Sequence, residues 1–499
     1  MYPYDFSNHQ SRFIRMQDVP AGYLERLSSA AQADPFYPRW HIAPPCGLLN
    51  DPCGLFQSGG VHYIFHQWFP MGAVHGLKHW RLLCTRDFVH FEDRGIALEP
   101  SAPFDDHGCY TGMALPCAGG AEIFYTGIAG DQKEPSICRA RFQDGEMRER
   151  EVLMSRDPAL STSSFRDSFV VERSDQRLML IGAQRPDGMG QILLSQGEPE
   201  AFGGFGGCRQ LELRAAHFDT TTLGYMLECP VYFDTRAGGV LMFSPQGLAA
   251  QGRYDFKNVF SVVYGVGERL DDRAAQFCCG AFYELDKGFD FYAPQVYQDE
   301  SGRRILFGWL GNSKSEYPTD KNGWAHMLTC PREVWASGDR LLQWPLAELK
   351  QLRGEGFDLG ACSASSADGD AHIALDLSSF GLEIDGFASQ AFCWELGNEA
   401  GDVVRFEATL DEYELDRSKM THVYAERFGT RRFARRLDRM TTMRLLLDRS
   451  SIELFLDGGK TVFTARFFID DPSWLRVRGV EGTCYQLSPI AVARNGAGA

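Results

Sequence analysis

The chain has 499 residues, 44% of them apolar and 13% aromatic, with a net charge of −16. That is apolar material for a full core in two or three domains, which argues against disorder. An acidic balance, with pI about 5.3, lacks the basic stripe of a nucleic-acid binder and suits a neutral or small polar ligand.

No apolar run approaches the ~18 residues of a membrane helix. The first twenty residues hold no apolar signal-peptide stretch. The fourteen cysteines are scattered, with no Cys-x-x-Cys pair, and the adjacent Cys278–Cys279 is a poor metal geometry. Reduced thiols in a cytoplasm are therefore expected, with no metal, cofactor or membrane partner. A homo-oligomer stays open.

Residues 1–35 form an extension with one helix, "AGYLERLSSAAQAD". From 36 to 345 come short alternating or β-branched runs with turn punctuation: "VHYIFHQWF", "AEIFYTGIAG", "RLMLIGAQ", "QILLSQ", "VLMFSPQG" and "RRILFGWL". Such strands without intervening helical periods predict an all-β sandwich, barrel or propeller. No sharp repeat separates these alternatives. "GGFGG", Gly203 to Gly207, lacks the Lys-Ser/Thr of a phosphate loop and reads as a linker. "WPLAELKQLRGEG" has apolar residues at helical spacing and predicts a linker helix over 346–356. Strands resume over 357–499, with Asp457-Gly458-Gly459 as a hairpin turn, which predicts a second, sandwich-like all-β domain.

Three carboxylates sit in unusual settings. Asp51 lies in "LLNDPCG", a Pro/Gly turn between leucines; Asp167 lies in "SSFRDSFVV"; Glu228 lies in "GYMLECPVYF". Each alone reads as a turn residue, a surface pair or a strand end. Together they are the ingredients of glycoside hydrolysis: one carboxylate kept ionised as nucleophile, another, beside apolar side chains, holding its proton as general acid.

These segments resemble glycoside hydrolase family 32, the invertase and fructan hydrolase family. The likeness runs from about Tyr37 to the C-terminus and includes "FHQW", "DFVHFED", "HGCYTGMAL", "FSPQG", "DKGFDFYAPQ", "GRRILFGWLG", "GWAHMLTCPRE" and "DRSSIELFLDGG". It implies a five-bladed β-propeller followed by a C-terminal β-sandwich. It also implies Asp51 as nucleophile, Asp167 as the residue that grips fructose hydroxyls, and Glu228 as acid/base. Asn50 and Gln67 would bind the sugar through their amides, with Arg166 orienting Asp167. Tyr110 and Thr111 would line the pocket, Trp309 would offer a flat face, and Leu48 and Leu49 an apolar wall. Cys53, Ser168, Thr111 and Met113 depart from the family pattern without removing a carboxylate. A binding module that has lost its chemistry is disfavoured because all three carboxylates are present.

The run His75 to Lys78 resembles the family's phosphate-using bacterial branch. That implies sucrose-6-phosphate as substrate, with Lys78, His75 and Arg81 as candidate cations for the phosphate. The alternative is unphosphorylated sucrose or a fructo-oligosaccharide.

Overall fold

A computed structural model describes residues 4–130 and 134–494. Tyr23–Ala33 is helical and buries Tyr23, Leu27 and Ala31, a period-four stripe. Five sheets then succeed one another in chain order up to Pro345. Their innermost strands are Gly47–Ser58, Cys109–Cys117, Phe165–Glu172, Met226–Asp234 and Tyr292–Gln298. Each packs against the next, and the fifth returns to the first, closing the ring of a β-propeller. Two segments from later in the chain tie the first sheet. Trp324–Ala325 pairs in parallel with Gly47–Leu48, and Ala491–Arg494 pairs in parallel with His90–Asp93. The propeller centre is apolar below the site, with Leu49, Phe165, Phe169, Val231, Phe291 and Leu328 among its buried residues.

All five inner strands break register near their N-terminal ends. The irregularities fall at Asn50–Asp51, Thr111, Asp167–Ser168, Cys229–Pro230 and Ala293–Pro294. Asp167, Cys229 and Ala293 have φ of 63°, 47° and 45°. Non-glycine residues resist that region, at a cost of about 1–3 kcal/mol each. A bulge bends the strand and re-aims its side chain. Repeated around a ring, it turns successive side chains toward one end of the axis.

After the propeller, two six-stranded antiparallel sheets face each other as a sandwich. The expected hairpin is present: Ser451–Leu456 pairs with Thr461–Arg466 across a turn in which Gly458 and Gly459 have positive φ. The helix expected over 346–356 is instead a six-residue 3-10 turn, Ala347–Leu352. Arg353–Asp358 is a strand on Glu481–Leu487. Gly354 and Gly356 are poor helix formers, and Arg353 is drawn into the sheet by two bonds to Glu383 (2.7 and 2.8 Å).

Candidate active site

The bulged strand ends bring Asp51, Asp167 and Glu228 together from the first, third and fourth sheets. Around Asp51 runs a continuous hydrogen-bonded chain. Lys78 Nζ donates to Asn50 Oδ1 (2.6 Å). The Asn50 amide nitrogen donates to Asp51 Oδ1 (3.0 Å) and Gln67 Oε1 (2.6 Å). Gln67 Nε2 donates to Thr111 Oγ1 (2.6 Å), whose hydroxyl donates to Asp51 Oδ2. Lys78 thus fixes which way the Asn50 amide points, and the amide in turn presents N–H to the carboxylate.

Asp167 is 4% exposed. Its backbone N–H bonds Thr126 Oγ1 (3.0 Å), and its Oδ2 accepts from the Cys229 N–H (3.2 Å). Arg166 pairs chiefly with Glu228: Nε and a terminal nitrogen lie 3.0 and 2.6 Å from Oε1, while Asp167 is 3.9 Å away. The contact to Asp167, which Arg166 is expected to orient, is the longer of its two ion pairs. Glu228 is also not set among apolar groups, because Gln246 Nε2 (2.7 Å) and the Tyr292 hydroxyl (2.6 Å) both donate to its Oε2.

Burial raises the Asp51 carboxyl above its usual range, against the bonds from Thr111 and Asn50 and with the charge of Glu228 adding to the rise. Burial also pushes Asp167 up to about 8; Arg166 opposes this, and Glu228 and Asp51 add to it. Burial pushes the Lys78 ammonium down to about 7, with Asp51 opposing. Burial with few compensating charges displaces Asp51 and Asp167 upward and Lys78 downward.

The other expected residues are placed as follows. Tyr110 lies close enough to Arg166 and Asp167 for their charges to act on its hydroxyl, which burial pushes up. Trp309 is 3% exposed, with His75, His326 and Tyr292 rings 5.8, 5.2 and 6.2 Å from its own. Leu48 lines a cavity of about 680 Å³ beside the cluster. Leu49 is instead fully buried in the propeller core, because neighbours on a strand face opposite ways. Lys78 is 4% exposed and committed to Asn50 and to His75 Nδ1 (2.9 Å). Arg81 is committed to Asp93 and the Trp68 ring. Neither is arranged as a cation awaiting a phosphate.

Sequence reasoning left Thr126, Cys229, Gln246, Tyr292 and His326 without roles. Gln246, Tyr292 and His326 stand inside motifs already singled out, "FSPQG", "DKGFDFYAPQ" and "GWAHMLTCPRE". What linked them to Glu228 and Trp309 was the ring, which brings distant strand ends together. Among the described residues, the side chains close enough to share a metal ion do not include this cluster. Among the described residues the candidate group is Asp368, Asp370 and His372 in the sandwich, where Arg478 holds Asp370 by two 2.7 Å bonds.

Comparison with known proteins follows the same outline. Residues 41–345 match the glycosyl hydrolases family 32 N-terminal domain, and residues 350–482 match the family's C-terminal domain. The chain is 39% identical to a sucrose-6-phosphate hydrolase of Vibrio alginolyticus over 95% of this chain and 94% of that protein. The solved structure of a sucrose-6-phosphate hydrolase from Lactobacillus gasseri superposes with a TM-score of 0.85 at 24% identity, covering 97% of this chain and 99% of that one. A Bombyx mori GH32 beta-fructofuranosidase variant, solved in complex with sucrose, superposes at 0.76 with 26% identity, covering 95% and 98%. The chain belongs to glycosyl hydrolases family 32, and its fold is a β-propeller followed by a β-sandwich.

Proposed function

We propose that the protein hydrolyses the fructosyl bond of sucrose-6-phosphate, releasing fructose and glucose-6-phosphate with retention of configuration. The observation that carries this reading is the convergence of Asp51 and Glu228 on one cluster, with Asp51 held by Asn50 and Thr111 and Glu228 by Arg166, Gln246 and Tyr292. The likeness to sucrose-6-phosphate hydrolases supports the phosphorylated substrate.

Asp51 attacks the anomeric carbon of the fructosyl unit, while Glu228 gives its proton to the departing glycosidic oxygen. A fructosyl ester on Asp51 results. Glu228, now ionised, takes a proton from water, and the water oxygen attacks the same carbon, freeing Asp51. To serve as acid Glu228 must carry a proton, and the Tyr292 hydroxyl can then accept from it rather than donate. Asp167, Asn50 and Gln67 hold fructose hydroxyls, and the rigid bulges supply the orientation such a displacement needs. Retaining pairs of this kind stand ~5–5.5 Å apart, inverting pairs ~6.5–9.5 Å.

A second reading, hydrolysis of unphosphorylated sucrose, draws on the sucrose complex of the Bombyx mori relative and on the inward commitment of Lys78 and Arg81. Comparing kcat/KM on the two sugars decides between them: a preference for the phosphate of tenfold or more supports the first reading, and parity rejects it. A reducing cytoplasm suits the fourteen free thiols. Among the described residues no helix is long and apolar enough to cross a membrane.

A further inference from the structure

A phosphate monoester carries about −1.5 to −2 charges at pH 7. A protein at −16 offers it no long-range attraction, so a local cation must receive it. With Lys78 and Arg81 committed elsewhere, the cavity of about 680 Å³ beside the cluster is the place to look. It shares Leu48 and His75 with the site, and Trp309 links it to the chemistry. The Trp309 ring meets Tyr292, which bonds Glu228, and also meets His75 and His326, both of which line the cavity.

The remaining walls come from residues 72–74, the 312–326 loop, His422 of the sandwich and the N-terminal extension, through Phe6 and Arg12. The extension is built in rather than draped over. The Leu77 N–H donates to the Arg12 carbonyl (2.7 Å), one residue from Lys78. A Cβ on Gly72 would lie 2.4 Å from the Phe6 ring, and one on Gly76 2.6 Å from the Arg12 carbonyl oxygen. Only glycines on both sides of His75 let the extension sit this close.

The lining is polar and partly unsatisfied. His75 Nε2 and His326 Nδ1 are buried without a protein partner. Because His75 Nδ1 accepts from Lys78, its Nε2 carries the proton; His326 bonds the Leu49 backbone, leaving Nδ1 as an acceptor. One orphan donor and one orphan acceptor suit sugar hydroxyls. Glu316 and Asp320 also line the cavity. They are further acceptors for hydroxyls, and they oppose an anion unless a cation meets it directly. Two cations line the cavity, Arg12 and Lys321, and Arg12 is the one built against the His75–Lys78 run: its Nε donates to the Phe6 carbonyl (2.8 Å) and its own carbonyl accepts from the Leu77 N–H (2.7 Å).

We propose that this cavity holds the leaving glucosyl unit and that Arg12, from the N-terminal extension, binds its 6-phosphate. The proposal rests on the sucrose-6-phosphate reading. It gives the extension, which lies outside both family domains, a part in choosing the substrate.

The test compares wild type, Arg12→Met and Arg12→Lys on sucrose-6-phosphate and sucrose, with inorganic phosphate as competitive inhibitor. The Arg12 carbonyl contact survives either substitution. Arg12→Met is expected to lose about ten- to a hundredfold in kcat/KM on the phosphorylated sugar, to stay within about twofold on sucrose, and to lose inhibition by phosphate. Arg12→Lys should recover part of each, because it keeps the charge but not the bidentate fork. An equal fall on both sugars makes Arg12 a brace of the rim and overturns the proposal, as does no change on either. Failure of the substrate reading shows in the wild type, as parity between the sugars. Failure of the Arg12 assignment shows only in the variants.

Discussion

Two clusters of buried charge sit one domain apart, and they have opposite character. At the propeller–sandwich interface His41 lies between Asp448 (2.9 Å) and Glu453 (2.8 Å), and Glu453 also takes Arg332. Asp290 receives Arg417, the Arg466 N–H and the hydroxyls of Tyr317 and Tyr424. Burial would raise all three carboxyls, yet partners outweigh it: Asp448 and Asp290 fall below their ordinary value, and Glu453 falls to about 2. In the active-site cluster Asp167 is buried nearly as deeply and Asp51 is partly covered, and both rise instead. The supply of partners decides. Asp286 makes the point within the interface itself: it shares Arg332 with Glu453, at 3.4 Å, and burial wins there. One region pairs most of its carboxylates with cations and holds two domains together. The other is left short of positive charge, and there burial raises Asp51 and Asp167 above their ordinary range.

The largest effect that would break this contrast is catalytic. Asp51→Asn should lower turnover on the order of 10⁴-fold or more, with thermal stability unchanged or raised, because it removes a charge that burial disfavours and not a brace. Near-normal turnover in the folded variant would remove Asp51 from the mechanism.

Glu453→Gln should do the reverse. It leaves His41 and Arg332 facing a neutral amide, and breaking such a buried pair costs about 3–5 kcal/mol. Urea denaturation measures the loss, while kcat per folded molecule should hold. The pH dependence follows from the same residue. Its folded pKa is depressed to about 2, so its stabilisation is complete above the unfolded value of about 4.3 and is lost as pH falls toward 2. The variant should lack that acid slope.

Lys78→Met sharpens the comparison from the other side. Without Lys78 the Asn50 amide is no longer held, and kcat should fall roughly tenfold or more on sucrose and sucrose-6-phosphate alike, at the scale of a charge-assisted hydrogen bond. The acid limb of the pH profile should move up, since a cation favouring ionised Asp51 is gone. Stability should rise. A lysine depressed to about 7 has the full cost of burying its charge below pH 7, and that cost fades toward the unfolded pKa near 10.4. The gain should therefore be largest at or below pH 7.

The smallest effect separates Asp167 from Lys78 by sign. An aspartate raised to about 8 costs stability increasingly as pH climbs from about 4 to 8. Asp167→Asn should gain stability across that window, where Lys78→Met gains most at its lower end. A gain with the same pH slope in both variants would show that the two groups do not titrate as assigned.

Much of this was legible in the sequence. The strand runs "VHYIFHQWF" and "RLMLIGAQ" coincide with strands Val61–Phe69 and Arg177–Gln184, because a short, mostly apolar run bounded by turn residues fits a strand buried on both faces. The carboxylates stood out through their turn-like settings. The repeat was harder to see. Asn50-Asp51, Asp167-Ser168, Cys229-Pro230 and Ala293-Pro294 occupy equivalent bulges of four inner strands, but few residue types recur among them. A bulge is specified by backbone conformation, which Asp, Cys and Ala can all adopt at a cost, so the repeat is one of geometry more than of letters. The direction of Lys78 was also out of reach. A lysine after His-Gly-Leu reads as a surface charge, and only the closed ring shows that Asn50 and His75 wait for it inside.

The account rests on Asp51 becoming a fructosyl ester, and trapping that ester tests it most directly. In Glu228→Ala, β-fructosyl fluoride needs no acid to depart, whereas hydrolysis of the ester lacks its base. The account predicts a covalent fructosyl adduct, found by peptide mass mapping on the segment that carries Asp51, and β-fructose as the first anomer released by the wild-type enzyme. An unmodified protein with α-fructose released first, or an adduct on Asp167, would contradict it.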